Sequence, residues 1–100
     1  MKLKPVEQLP GAQHDLEQSA AWYEEQEPGV GERFLAAVIL AEGKLQRNPE
    51  WGVPDRRNTR KWRVPPFPHS LVYRIEDDRI VIIAVAHGSR PDDYWDDRLN

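Results

Sequence analysis

The residues best suited to chemistry gather near the C-terminal end of the chain. Seven apolar residues, Ile80 to Ala86, run without a break and stop at His87, and Arg90, Tyr94 and Trp95 follow within eight residues. Imidazole titrates near neutral pH, and a guanidinium binds oxyanions through a planar fork. A short apolar run rich in β-branched residues predicts a strand buried on both faces, in the middle of a sheet. Its end would hold His87 rigidly at the sheet edge, with Arg90 on the loop beyond. A rigid element positioning a mobile one is a favourable place for a site. The plainer alternative is that His87 only caps a core strand.

A second group is cationic. Five of the eight residues from Arg56 to Arg63 are basic: Arg56, Arg57, Arg60, Lys61 and Arg63. The net charge of −3 is unevenly spread. Residues 1–50 carry −4, residues 51–75 carry +5 and residues 76–100 carry −4. A net-acidic chain is a poor generic nucleic-acid binder, because phosphate neutralisation supplies most non-specific affinity. A local basic patch still suits an anionic target.

One hundred residues predict a single domain spanning 1–100 with one modest core. Without cysteine there is no disulfide framework, thiolate metal site or thiol nucleophile, which fits a reducing cytoplasm. Lys2 and Lys4 precede no apolar segment adequate for a signal peptide. The longest apolar stretches reach eight residues, too few to span a membrane. Three scattered histidines argue against a metal centre. No phosphate-cradling glycine loop or nucleophile elbow is present, so no cofactor is expected.

These side chains need elements to position them. Residues 2–6 predict a short edge strand. A first helix is expected from Pro10 to about Glu27, with Leu16, Ala20 and Tyr23 on its apolar stripe and Asp15, Glu17, Glu24 and Glu25 in solvent. Pro28-Gly29 ends it. A second helix is expected from Val30 to Arg47, with Phe34, Val38, Ala41 and Leu45 inward. Phe34 to Ala41 is apolar all round, so this helix is either enclosed by the core or covered in part by a partner. Residues 49–59 read as a loop. Strands follow at Arg60–Val64, His69–Ile75 and Ile80–Ala86, the last two joined as a hairpin through 76–79. In the first of these, Lys61 and Arg63 point one way and Arg60, Trp62 and Val64 the other. The acidic, aromatic segment from Pro91 to Asn100 suggests either one helical turn packed by Tyr94 and Trp95 or a partly disordered tail. The expected fold is α+β: an N-terminal strand, then an antiparallel helical hairpin packed on one face of a largely antiparallel sheet of about four strands, with the other face open.

This order, with its motifs, resembles the RelE/ParE superfamily of toxins from bacterial type II toxin–antitoxin systems, plasmid stabilisation proteins among them. The resemblance spans nearly the whole chain. It rests on Asp15-Leu16 with Tyr23, on Phe34, and on Leu45 with Pro49. It continues through Arg63, Phe67-Pro68-His69 and Val72-Tyr73-Arg74-Ile75. Ala84-Val85-Ala86-His87 with Arg90, Pro91, Tyr94, Trp95 and Arg98 is its most specific part. The resemblance implies a toxin silenced by a cognate antitoxin, a small and partly disordered protein forming a hetero-oligomer with it, with no membrane role. It also implies one of two targets, and the shared fold does not choose between them.

RelE-like members cleave messenger RNA on the ribosome. There the 2′-hydroxyl attacks the neighbouring phosphate, which needs a base, an acid and cations for the phosphorane. His87 would be base or acid, Arg63 and Arg90 would clamp phosphate with Arg60 and Lys61, and Tyr94 or Trp95 would stack on a base. ParE-like members poison DNA gyrase, which needs a docking surface and no catalytic group. His87 would then be hydrogen-bonded at a strand end, Arg90 would pair with Asp93 or Asp96, and Arg56, Arg57, Arg60, Lys61 and Trp95 would face the target. A sequence pI near 5.6 favours the second target. Trp22 and Trp51 are expected in packing or antitoxin contact, Trp62 in cross-strand packing, His14 in solvent, and His69 at a strand start, with support of the site as its lesser alternative.

Overall fold

The computed structural model describes residues 2–99; Asn100, the end of the expected tail, lies outside the described residues. Strand β1 (Val6–Gln8) leads into helix α1 (Pro10–Gln26) and helix α2 (Val30–Arg47). Strands β2 (Val53–Asp55), β3 (Thr59–Arg63), β4 (His69–Ile75) and β5 (Ile80–His87) follow. They form one five-stranded sheet ordered β1-β5-β4-β3-β2, antiparallel except that β1 runs parallel to β5.

Both helices start and stop where the local chemistry dictates. Proline opens α1, where its missing N–H is no loss. Gly29 takes φ +92° between the helices, a conformation that favours glycine. The Glu24 carboxylate then accepts the N–H groups of Gly29 and Gly31 at 3.0–3.1 Å and caps α2. From α2, Phe34, Val38, Ala41 and Leu45 are buried against Leu71, Tyr73, Ile80, Ile82 and Val85 of the sheet. Phe34, Val38 and Leu45 each contribute about 1.5–3 kcal/mol on burial, and the Ala41 methyl less.

Four features differ from the sequence expectations. The first strand is Val6–Gln8 rather than residues 2–6, because Pro5 gives way to the segment that pairs with Ile80–Ile82. The expected 49–59 loop contains β2, an edge strand paired with β3. Asp15 is buried at 6% exposure instead of solvated. The second sheet face is not open: Trp95, with Leu99 and Tyr94, packs on Val72, Ile83 and Ala84. A bulge between Val72 and Tyr73 lets Ile83 and Ala84 share that face, one after the other.

β2 has a particular edge. Proline offers β3 no N–H, so Val53 and Asp55 carry the ladder and Pro54 occupies the outward position. The outer edge of the strand therefore presents a carbonyl and no donor.

Candidate functional site

His87 ends β5 directly opposite His69 of β4, and their rings meet edge-on with centroids 5.0 Å apart. The His87 Nδ1 accepts the Ser89 N–H at 2.9 Å and lies 2.8 Å from the Ser89 hydroxyl. In the neutral imidazole the proton is therefore on Nε2. His69 is 4% exposed, wedged against Phe34 and Tyr23, with its Nδ1 buried and unpartnered. Burial, then the neighbouring His87, pushes the His69 pKa down to about 4. The two histidines line a cleft of about 330 Å³ with Gln18, Ser19, Trp22, Tyr23 and Arg90.

Arg63 does not join them. It pairs with Ser70, one position out of step with His69, and side chains alternate along a strand. Arg63 and His87 thus leave opposite faces of the sheet. Arg90 does reach the cleft, yet it takes no carboxylate among the described residues: its guanidinium lies 4.1 Å from the centroid of the Tyr94 ring, while Asp96 is held by Arg56. The Tyr94 hydroxyl donates to Asp15 at 3.0 Å. Burial first, then the Asp15 carboxylate, keeps it protonated well above the usual phenol range. Trp95, expected to stack on a base or face a target, is 1% exposed and belongs to the second core.

The basic stretch lies against the C-terminal segment. Arg56 binds the Asp96 carboxylate through both arms at 2.5 and 2.6 Å, also donates to the Asp92 carbonyl, and sits over the Trp95 ring. Arg57 donates to the Asp96 carbonyl at 2.8 Å. Lys61 lies 3.4 Å from Asp55 and 3.6 Å from Asp92. Arg60 turns away and donates to the carbonyls of Glu50 and Gly52. The positive segment 51–75 and the negative segment 76–100 thus partly neutralise one another. Among the described residues, no group of three or more His, Asp or Glu side chains converges to hold a metal, and no helix is long and apolar enough to cross a membrane.

The sequence reading missed Asp15 as an organising residue. Its Oδ2 accepts the Val85 N–H at 3.1 Å and the Arg98 Nη1 at 2.7 Å, and its Oδ1 accepts the Arg98 Nη2 at 3.0 Å. Asp15 stands three positions after the buried Ala12, on the inner side of α1, and that placement was the available signal.

A separate apolar cleft of about 400 Å³ lies between α2 and the β2–β3 edge, lined by Ala37, Leu40, Trp51, Val53 and Trp62 among others. Leu40, Trp51 and Val53 are 61–75% exposed, and Ile39 of α2 is 68% exposed. Lys44, Lys61 and Arg63 also line it, with no acidic side chain.

Comparison with known proteins follows the same lines. A family model described as the ParE toxin of the type II toxin–antitoxin system, parDE, matches residues 6–91. A solved structure described as the toxin–antitoxin complex RelBE2 from Mycobacterium tuberculosis is 33% identical, with 87% of this chain and 93% of that chain covered at a TM-score of 0.64. Another, the chromosomal ParDE system from P. aeruginosa, shares 16% identity over 85% of this chain and 96% of that one, at a TM-score of 0.75, and so shows the common fold. A search of curated proteins returns no match.

Proposed function

The chain belongs to the ParE toxin family of type II toxin–antitoxin systems, and from that premise we propose that its target is DNA gyrase, engaged by docking and not by catalysis. It is the toxin component of such a module, and its cognate antitoxin is the partner that neutralises it. The observation that carries the gyrase reading is the separation of the groups a ribonuclease would need. Arg63 leaves the sheet on the face opposite His87, Tyr94 is committed to Asp15, and Arg56 is held by Asp96. Lys61 and Arg90 do line one small pocket with His87, but Asp92 lies in it as well, and Arg63 and Arg56 are not among its lining residues, so the clamp a phosphorane needs is incomplete. His87, hydrogen-bonded to Ser89 at a strand end, has the geometry of a structural residue.

The apolar cleft beside α2 is the proposed seat of the antitoxin. A patch with Leu40, Trp51 and Val53 exposed and cations beside it suits an amphipathic, acidic segment that orders on binding. The second reading, ribosome-dependent cleavage of messenger RNA, draws on the similarity to the RelBE2 complex and on His87 and Arg90 sharing one cleft.

Pulse expression in bacteria separates the two. Gyrase poisoning gives intact messages, double-strand DNA breaks and an SOS response, and His87→Ala stays toxic. Codon-phased cleavage of translated messages, lost in His87→Ala, would overturn the gyrase reading and install the other.

A further inference from the structure

Arg56, Arg57, Lys61 and Arg63 fall within eight residues of sequence, and three of them are engaged by the C-terminal segment. Asp96 and Asp92 meet them where a phosphate would. Asp96 is gripped by the two-armed Arg56 contact that guanidinium groups also make with phosphate. Arg57 donates to the Asp96 carbonyl and has its Nη1 4.0 Å from the carboxylate; Asp92 lies beside Lys61. The Arg63 side chain makes no hydrogen bond or ion pair among the described residues and leaves the sheet on the same face as Lys61.

We propose that Asp92 and Asp96 are specificity determinants: as built-in anions they occupy a surface of Arg56, Arg57, Lys61 and Arg63 that would otherwise bind the phosphate backbone of single-stranded nucleic acid, and so hold this toxin off polynucleotides.

Magnitudes favour this role over a purely structural one. The Arg56 and Asp96 side chains are 37% and 33% exposed, and Asp92 is 78% exposed. Pairs this wet are screened by solvent and add little to folding. Their effect on a polyanion is larger, because affinity follows the number of free cations that displace counterions. The segment stays docked through Trp95 and the Asp15–Arg98 pair, so the two carboxylates can be removed without releasing it. The inference rests on the gyrase reading, since a toxin that cleaves messenger RNA must hold a polynucleotide; the binding assay below tests it separately from the expression experiment above.

The test is fluorescence anisotropy of a labelled oligouridylate with the full-length chain and its Asp92→Asn/Asp96→Asn variant. The variant is expected to bind at least tenfold tighter than the parent at low salt. Freeing Arg56 should also steepen the salt dependence, adding about 0.7 to the magnitude of the variant's log–log slope relative to the parent. Adding Arg56→Gln should abolish most of the gain. A charge-matched variant, Glu25→Gln/Asp77→Asn, should gain nothing, since both residues are exposed and lie outside the strip. Equal binding by the charge-matched variant would overturn the proposal, as would no gain in a folded Asp92→Asn/Asp96→Asn chain. Should the double variant fail to fold, Asp96→Asn alone decides: by releasing Arg56 it should show a smaller gain, and no gain would overturn the proposal.

Discussion

Two arginine–carboxylate pairs tie the C-terminal segment to the body of the molecule, and they differ in what surrounds them. Asp15 and Arg98 meet inside, with side chains 5% and 19% exposed, and the carboxylate also accepts the Val85 N–H and the Tyr94 hydroxyl. Arg56 and Asp96 meet at the surface, with the shorter contact of the two. Distance alone ranks the outer pair first, whereas solvent ranks it last. Removing one partner of a buried pair strands the other charge, and water screens the loss at the surface. The inner pair sets where the segment lies, and the outer pair sets what charge the segment leaves on view.

Substitutions break or sharpen that contrast. The largest effect is expected from Asp15→Ala, which strands Arg98, the Tyr94 hydroxyl and the Val85 N–H together. A loss of about 3–5 kcal/mol is expected in urea denaturation. A loss below 1 kcal/mol would erase the distinction between the two pairs.

His69 gives an intermediate case, a buried titratable group with no carboxylate. Its folded pKa, about 4, lies below the ordinary value of 6.5, so the unfolded chain binds more protons between the two. Its neutral burial is fully stabilising above about pH 6.5, and stability is lost as pH falls toward 4, by about 3 kcal/mol in all. His69→Phe should pack among Phe34, Tyr23 and Phe67 and flatten that part of the stability–pH curve. An unchanged acid limb would assign it to other groups.

The smallest change belongs to the outer pair. Arg56 holds the Asp96 pKa below the usual carboxylate range, but both groups are wet. Asp96→Asn should lower the urea midpoint only slightly, and the loss should shrink further in high salt. A salt-independent loss of several kcal/mol would place Asp96 with Asp15.

What could be read in advance follows the range of the interactions. Pro10, Pro28-Gly29 and Asn48-Pro49 bracket α1 and α2 through local backbone restriction, so those bounds agree closely with expectation. The alternation of His69–Ile75 and the apolar run after Ile80 mark β4 and β5 equally well. β2 has three residues, one of them proline, and no period to detect; only its pairing with β3 makes it a strand. The cover of the second sheet face depends on Trp95, which sits in an acidic stretch that looks solvated until the sheet is present. At the candidate site, the cross-strand neighbours His69 and His87 come together because their strands form a hairpin. The divergence of Arg63 depends on register, which a one-residue shift would have reversed. The Asp15–Arg98 pair joins residues 83 positions apart, beyond any local pattern.

Pro54 has one more consequence, for the chain on its own. An exposed sheet edge invites a second copy to add its own strand, and a third after that. At β2 the incoming strand would find a ring where it needs an N–H, so copies cannot template one another along that side. The sticky apolar cleft sits immediately beside this blunted edge. A copy awaiting its partner can therefore expose the cleft without the neighbouring edge seeding a fibre, and a partner contacting Val53 must hold on by side chains, with little help from strand pairing.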